Sequence, residues 1–499
     1  MGKRLKVAAH KPSLIKNMKT PSLIAGFIVL GSTLFTLPVV AATAEARNQW
    51  PQWRGPLATG VAPEADPPLE WSETKNVKWK AKIPGQGTAT PVIWGDRVFI
   101  LTAIGPEKQP PAEPSPAPAA PPPPKVTGTD TNATPAGSGE GRRRRGPGGP
   151  GGPGGGGGFG RSEKPTEKFQ FVVLCLDRKT GQPLWQKTAT EEVPHEGHHR
   201  DHGFASASPV TDGQVVLAYF GSRGLHCYDL EGNFKWSKQF GQLQTRNGFG
   251  EGASPALHGD TVVVVWDGEG KDDFITALDK RTGKELWRTP RNEDTGWSTP
   301  LIVEQDKKTQ VIVNASGKVR SYDLTTGQEI WNCGGQTGNA IPSPVADATT
   351  VYLTSGFRGS ALFAIKLGAT GDLDGTEAVR WSYNKNTPYV PSPLLTGGWL
   401  YLVSGNNGKL TCFDTKTGQP QFEAEQLPGI FGIYASPVAA KDRVYVLGRE
   451  GKCLVLQQGP KFDVLATNTL DDRTDASIAL VGKELFIRGQ QNLYCIGAN

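Results

Sequence analysis

Asp279-Lys280-Arg281-Thr282-Gly283-Lys284-Glu285-Leu286-Trp287 reads as a tight turn that runs into a strand. The leading aspartate accepts bonds from the amides ahead of it, and the glycine takes a positive φ. The tryptophan falls on the strand after the turn, where a large flat side chain packs against a neighbouring unit. The pattern returns at Asp177-Thr180-Gly181 with Trp185, at Asp323-Thr326-Gly327 with Trp331, and at Asp414-Thr417-Gly418 with Phe422. A turn and an aromatic recurring together mark a repeat architecture.

Two more columns extend the repeat. The first is a small residue, usually followed by proline, that opens an apolar run: Thr90, Ser208, Ser254, Thr299, Ser343, Ser392, Ser436 and the degenerate Ser477. Proline at the first position of a strand removes no ladder hydrogen bond. The second is a small residue in a later strand: Cys175, Cys227, Ala277, Ser321, Ala364, Cys412, Cys453 and Cys495. The aromatic column continues through Trp236 and Trp381. The seventh unit offers only Val464, and the eighth ends before that strand.

Runs such as Val215–Tyr219 and Val262–Val265 are strand-forming. One four-stranded unit cannot bury its own faces, whereas eight in a ring bury them all and leave few edges. The expected fold is all-β, an eight-bladed β-propeller of four-stranded antiparallel blades over residues 78–499. Lys78-Trp79-Lys80-Ala81 supplies the strand the eighth unit lacks, so an N-terminal strand completes the last blade and closes the ring.

The flanking segments differ in kind. Residues 1–44 carry six Lys/Arg and no acid, then an apolar run from Ile24 to Val40 and the small residues Ala42-Thr43-Ala44. This is the pattern of an export signal, either cleaved or kept as an anchor. Without it the net charge of +6 falls to zero, so bulk charge gives no reason to expect nucleic acid as a partner. Residues 45–77 form a lead-in. Residues 105–168, with Pro121–Pro124, Arg142–Arg145 and a Gly/Pro tract, interrupt the first blade and have a composition that cannot bury a core. That insertion is either a solvated loop or, through its arginines, a contact for an anionic surface. Five of the six cysteines share the small-residue column, which puts them in different blades as free buried thiols.

The Asp-x-x-Thr-Gly-x-x-x-Trp pattern resembles the pyrroloquinoline-quinone (PQQ) repeat. The opening Trp50-Pro51-Gln52-Trp53-Arg54-Gly55-Pro56 looks like exported bacterial propellers of that class. The resemblance implies one of two outcomes. Quinoprotein dehydrogenases hold PQQ and Ca²⁺ on the axis, and the alcohol dehydrogenases among them carry a disulfide between adjacent cysteines; no two cysteines are adjacent here. BamB-like propellers are non-enzymatic binding platforms of outer-membrane assembly. The BamB subunit is a lipoprotein, whereas residues 1–174 contain no cysteine for a lipid to attach to.

Candidate site residues fall into three groups. Glu251, Asn247, Trp297 and Asp475 lie before inner strands, where they could face the axis; hard oxygen donors among them would suit Ca²⁺. His195, His198, His199 and His202 crowd one loop with Glu196 and Asp201, a ligand set suited to Zn²⁺ or another transition metal, although the spacing fits no standard motif. The alternative is a polar loop whose histidines bond backbone groups. Phe204, Phe249, Trp297, Tyr389, Phe431, Tyr434, Arg246 and Arg473 could line an axial funnel. There is no nucleophile elbow, nucleotide-binding loop or Cys-x-x-Cys pair. The reading is therefore an exported, monomeric, non-catalytic scaffold, with no cofactor expected, for a protein or cell-envelope component. The alternatives are a periplasmic PQQ- and Ca-dependent dehydrogenase or a metal-binding propeller using the histidine loop.

Overall fold

A computed structural model describes residues 43–106, 160–405 and 407–498. Of the expected export signal only residues 43 and 44 fall within it, and residues 107–159 of the expected insertion lie outside the described residues. Helix is confined, among the described residues, to Ala44–Arg47 and brief 3-10 turns. No described helix is long and apolar enough to cross a membrane.

The strands form eight sheets, each with a core of four antiparallel strands. The third blade shows the plan: Ala256–His258, Thr261–Trp266, Phe274–Asp279 and Glu285–Pro290 pair in that order. Its two middle strands are buried on both faces, because a neighbouring blade covers each side. This is why they read as continuous apolar runs rather than alternating ones. The outer strand alternates between half-buried and exposed residues. Closure is as the sequence implied: Val77–Lys82 pairs antiparallel with Asn492–Gly497, and Trp79 stands opposite Cys495. Trp287 opposite Ala277 has the same register in the third blade. All six cysteines are free and buried.

The turn motif and the tryptophan turn out to be two halves of one joint. Trp236 of the second blade donates its indole N–H to the carbonyl of Lys280, in the third blade's turn, at 2.9 Å. A Cβ on Gly283, whose φ is +69°, would lie 2.5 Å from that indole ring. The glycine therefore serves both the turn and the ring stacked on it. Trp79, Trp185 and Trp287 donate in the same way to Arg178, Leu230 and Leu324 at 2.8–2.9 Å. The fourth blade departs: Trp331 turns inward to the Gln310 side chain at 3.1 Å. The fifth blade's turn is longer, and its Gly371–Asp372 pairs in parallel with Trp331–Asn332 instead.

The seventh blade corrects the column assignment. Val455, not Cys453, occupies the column position, and Ala466, not Val464, stands opposite it across the bulge. The missing aromatic comes from elsewhere: Trp71 of the lead-in stacks on Tyr445 at 6.4 Å. Trp381 on Tyr352, at 5.8 Å, and Phe422 on Tyr401, at 6.5 Å, make the equivalent contact in the fifth and sixth blades.

The small-residue column also has a collective role. The Thr90 N–H donates to the Ser208 hydroxyl, Ser208 to Ser254, Ser254 to Thr299, and so on through Ser343, Ser392 and Ser436 to Ser477, each at 2.9–3.0 Å. Seven joints of the ring are linked in this way. The Thr90 hydroxyl is buried without a partner.

Nor does the lead-in stand outside the ring. Trp50 exchanges two backbone bonds with Ile93 on the inner edge of the first blade, and Pro51 accepts from Thr211 of the second. Val61–Ala62 pairs in parallel with Ala439–Ala440 of the seventh blade. Arg54 is buried and donates to the carbonyls of Pro393 and Pro437 at 2.8–3.1 Å. Residues 50–62 thus fill the central channel and satisfy inner strand edges that would otherwise be open.

Replacing Trp79 by alanine removes the closing joint's ring and leaves a void over Gly181. It is expected to cost about 3–5 kcal/mol, measured as the shift in urea unfolding of the full chain. A loss below about 1 kcal/mol would mean that the joint contributes little.

Candidate functional site

The loop from Val193 to Gly203 joins the outer strand of the first blade to the inner strand of the second. It is tied down at every turn. The buried Glu196 accepts from the Thr245 hydroxyl at 2.6 Å and its amide at 3.2 Å. The His198 N–H donates to the Ser162 hydroxyl at 2.8 Å, the Ser162 N–H returns a bond to the His198 carbonyl at 2.7 Å, and the Arg200 N–H donates to the Gly160 carbonyl at 2.8 Å. Residues 160–162, inside the range read as a structureless insertion, therefore clamp the loop. On the far side Asp201 accepts from Arg449 at 2.8 Å, Arg473 at 2.9 Å and the Tyr434 hydroxyl at 3.2 Å. Arg449 and Arg473 also hold Asp475, at 2.6 and 3.3 Å. One loop is thereby fixed to residues of the third, seventh and eighth blades.

The four histidines do not converge. The His195 Nε2 is 2.7 Å from the Leu243 carbonyl, and the His198 Nδ1 is 2.7 Å from the His199 carbonyl. The His199 ring lies edge-on to Phe249, with Nδ1 accepting from the Asp201 amide at 3.3 Å. The His202 Nδ1 accepts from the Gly203 amide at 2.7 Å and lies 2.7 Å from the Ser206 hydroxyl. Among the described residues no three His, Cys, Asp or Glu side chains are grouped as metal ligands. Burial lowers the pKa of all four, that of His202 to about 4, so they are neutral at pH 7.

The axial candidates are also spoken for. Glu251 accepts from the Ser222 amide at 2.6 Å and Arg223 at 2.9 Å, beneath Gly221, where a Cβ would overlap its carboxylate. Desolvation pushes its carboxyl up to about 7 against the pull of Arg223. Asp475 faces its two arginines, and Asn247 alone of the three oxygen donors is exposed. A hard cation needs six or more converging oxygens. Glu251, Asn247 and Asp475 do not by themselves bring such a set together.

What the loops do enclose is a funnel of about 1070 Å³ at the centre of the ring. Trp53 of the channel-filling segment reaches its wall and donates to the Ser477 hydroxyl at 3.3 Å, so the funnel has a floor. Hydroxyls of Thr88, Ser206, Ser208 and Ser254 line it, with Trp297, Phe249, Tyr434 and Tyr389, the last stacked on Phe357 at 5.0 Å. Arg200, Arg246 and Arg358 project among them. Of the residues read as funnel lining, Phe249, Trp297, Tyr389, Tyr434 and Arg246 are there. Phe204 instead packs against Phe169 and Phe171, Phe431 stands 73% exposed, and Arg473 belongs to the charge network. Arg449 and Trp53 carry no site reading in the sequence, and Asp201, read there as a candidate metal ligand, is held by arginines instead. Nothing in a single sequence pairs residue 201 with 449, and Trp53 was read as part of a lead-in.

A family model described as outer membrane protein assembly factor BamB, of the PQQ-repeat type, matches residues 170–424. The outer membrane protein assembly factor BamB of Yersinia pestis is 24% identical over 294 residues, which are 56% of this chain and 65% of that protein. Its counterpart from Shewanella oneidensis is 21% identical over 304 residues, 57% of this chain and 66% of that protein. The chain thus spans just under two thirds of the length of these curated relatives. A quinohemoprotein alcohol dehydrogenase from Pseudomonas putida HK5 shares the fold, with a TM-score of 0.56 and 10% identity over 92% of this chain and 81% of that one.

The depressed pKa of His202 has a definite sign. Its stabilising contribution is complete above its ordinary value of 6.5 and is lost as pH falls toward 4, because the unfolded chain takes up the proton first. His202→Asn is expected to flatten the fall in unfolding free energy between those limits by at most about 3 kcal/mol, read from urea unfolding at each pH. An unchanged slope would show that His202 titrates normally in the folded chain.

Proposed function

Because this chain belongs to the BamB-like family of PQQ-repeat propellers, we propose that it is an exported, non-catalytic platform that binds a protein component of the cell envelope during outer-membrane protein assembly. The construction of the funnel face carries this reading. Its acids, Asp201 and Asp475, are neutralised from within by Arg449 and Arg473. Its aromatic and guanidinium groups are left facing outward, the side chains that dominate recognition surfaces. Phe431, 73% exposed on a loop bounded by Gly429 and Gly432, is the most prominent of them.

Export is supported by the basic and then apolar order of residues 1–44. The relatives, outer membrane protein assembly factors, support the envelope setting. The dehydrogenase alternative rests on a shared fold, and a fold of this kind hosts unrelated functions.

A photo-crosslinking residue at position 431 of the full chain is expected to capture an envelope protein in cells, and one at Leu286 on an outer strand is not. Titration of the purified chain with PQQ and Ca²⁺ is expected to leave tryptophan fluorescence flat. A saturable, Ca²⁺-dependent quench accompanied by dye-linked alcohol oxidation would replace the platform with a dehydrogenase.

A further inference from the structure

We propose that the funnel is itself a docking site and that its occupant is an extended, acidic polypeptide segment of the partner. This rests on the platform reading above and adds where and by what chemistry the platform binds.

Charge is the first argument. Arg200, Arg246 and Arg358 line the funnel, with Arg449 and Arg473 behind Asp201 and Asp475. The acids lining it are Asp201 and Asp475, and both are consumed by that second pair of arginines. Asp294 approaches Arg246 from outside at 3.6 Å. Among the described residues Arg200 makes no side-chain hydrogen bond or ion pair, and Arg358 only lies over the Phe357 ring at 5.1 Å. His199 and His202 are neutral at pH 7 and do not offset or add to this. Free guanidinium groups around a concave surface select carboxylates, which they bind in bidentate pairs.

Shape is the second argument. The cavity, at about 1070 Å³, is at the top of the range for small-molecule sites. Exposed aromatic surface also lies beyond its wall: Phe431, three residues before the lining Tyr434, is 73% exposed. A ligand that used both would be a chain rather than a compact molecule. The lining offers hydroxyls and amides at Ser206, Ser254, Asn247 and Asn339, which suit a peptide backbone, between aromatic faces that suit its side chains. Asn247, Asn339 and Arg358 hold φ values of +55°, +55° and +53°, a left-handed backbone maintained at three lining positions.

The test uses the full chain and two fluorescein-labelled decapeptides, one alternating Glu and Tyr, the other Lys and Tyr, read by anisotropy. The Glu/Tyr peptide is expected to bind saturably and to weaken as salt rises. Arg200→Glu with Arg358→Glu is expected to weaken it at least ten-fold. Both residues are exposed, so the fold is retained, checked by an unchanged melting temperature. Lys179→Glu with Lys416→Glu makes the same charge change on the turns of the opposite face and is expected to have no effect. Equal binding of both peptides, an unaffected arginine double variant, no saturable binding at millimolar peptide, or tighter binding of polygalacturonate would each overturn the proposal. If the arginine double variant also keeps the crosslink from position 431, the platform reading stands and the funnel assignment alone fails.

Discussion

The structure depends on an indole ring laid over a glycine of the next blade. A propeller blade is a sheet with two apolar faces and no intrinsic reason to adopt one angle to its neighbour. The joint supplies that reason: the ring fixes the distance through contact with a residue that has no Cβ, and its N–H fixes direction through a carbonyl of the same turn. Where the fourth blade withholds its tryptophan, the fifth compensates with a longer turn that adds a strand. Where the seventh has alanine, the lead-in brings Trp71. Trp71 supplies the ring but not the bond, since its indole N–H is buried without a partner.

That dependence explains what could be read from the sequence. Each joint makes the same demand, so its residues repeat at blade spacing, and the closing strand is recognisable because Trp79 obeys the same rule. The hydroxyl column was visible as small residues before proline, although its role as a circumferential chain of bonds was not, because that role exists only between blades. The seventh blade misled for a physical reason. Cys453 is small and buried two residues from Val455, and a buried cysteine satisfies a column defined by size.

The functional face was less legible. Most of the histidine loop's partners lie far along the chain: Leu243, Thr245, Phe249, Tyr434, Arg449 and Arg473. No periodicity connects them. Counting chemistry by residue type suggested a metal site, because histidine and carboxylate together are ligands. The folded chain instead uses imidazole nitrogens as bonding partners for backbone and hydroxyl groups and uses Asp201 as an anchor. The same limit applies to Glu251, whose arginine partner occupies another loop.

The closing strand also sets the order in which the molecule can be made. Most blades are local hairpins whose strands are neighbours in sequence, so they can form as soon as they are synthesised. Val77–Lys82 is different: it must wait for Asn492–Gly497, made about 410 residues later. Until then the eighth blade has no outer strand, the ring has a gap, and the segment that fills the channel has nothing complete to fill. Ring closure is therefore a single late event between strands far apart in sequence, which is the slow kind of contact to form. During that interval the open edges need protection, and the earlier strand must stay unpaired with other chains.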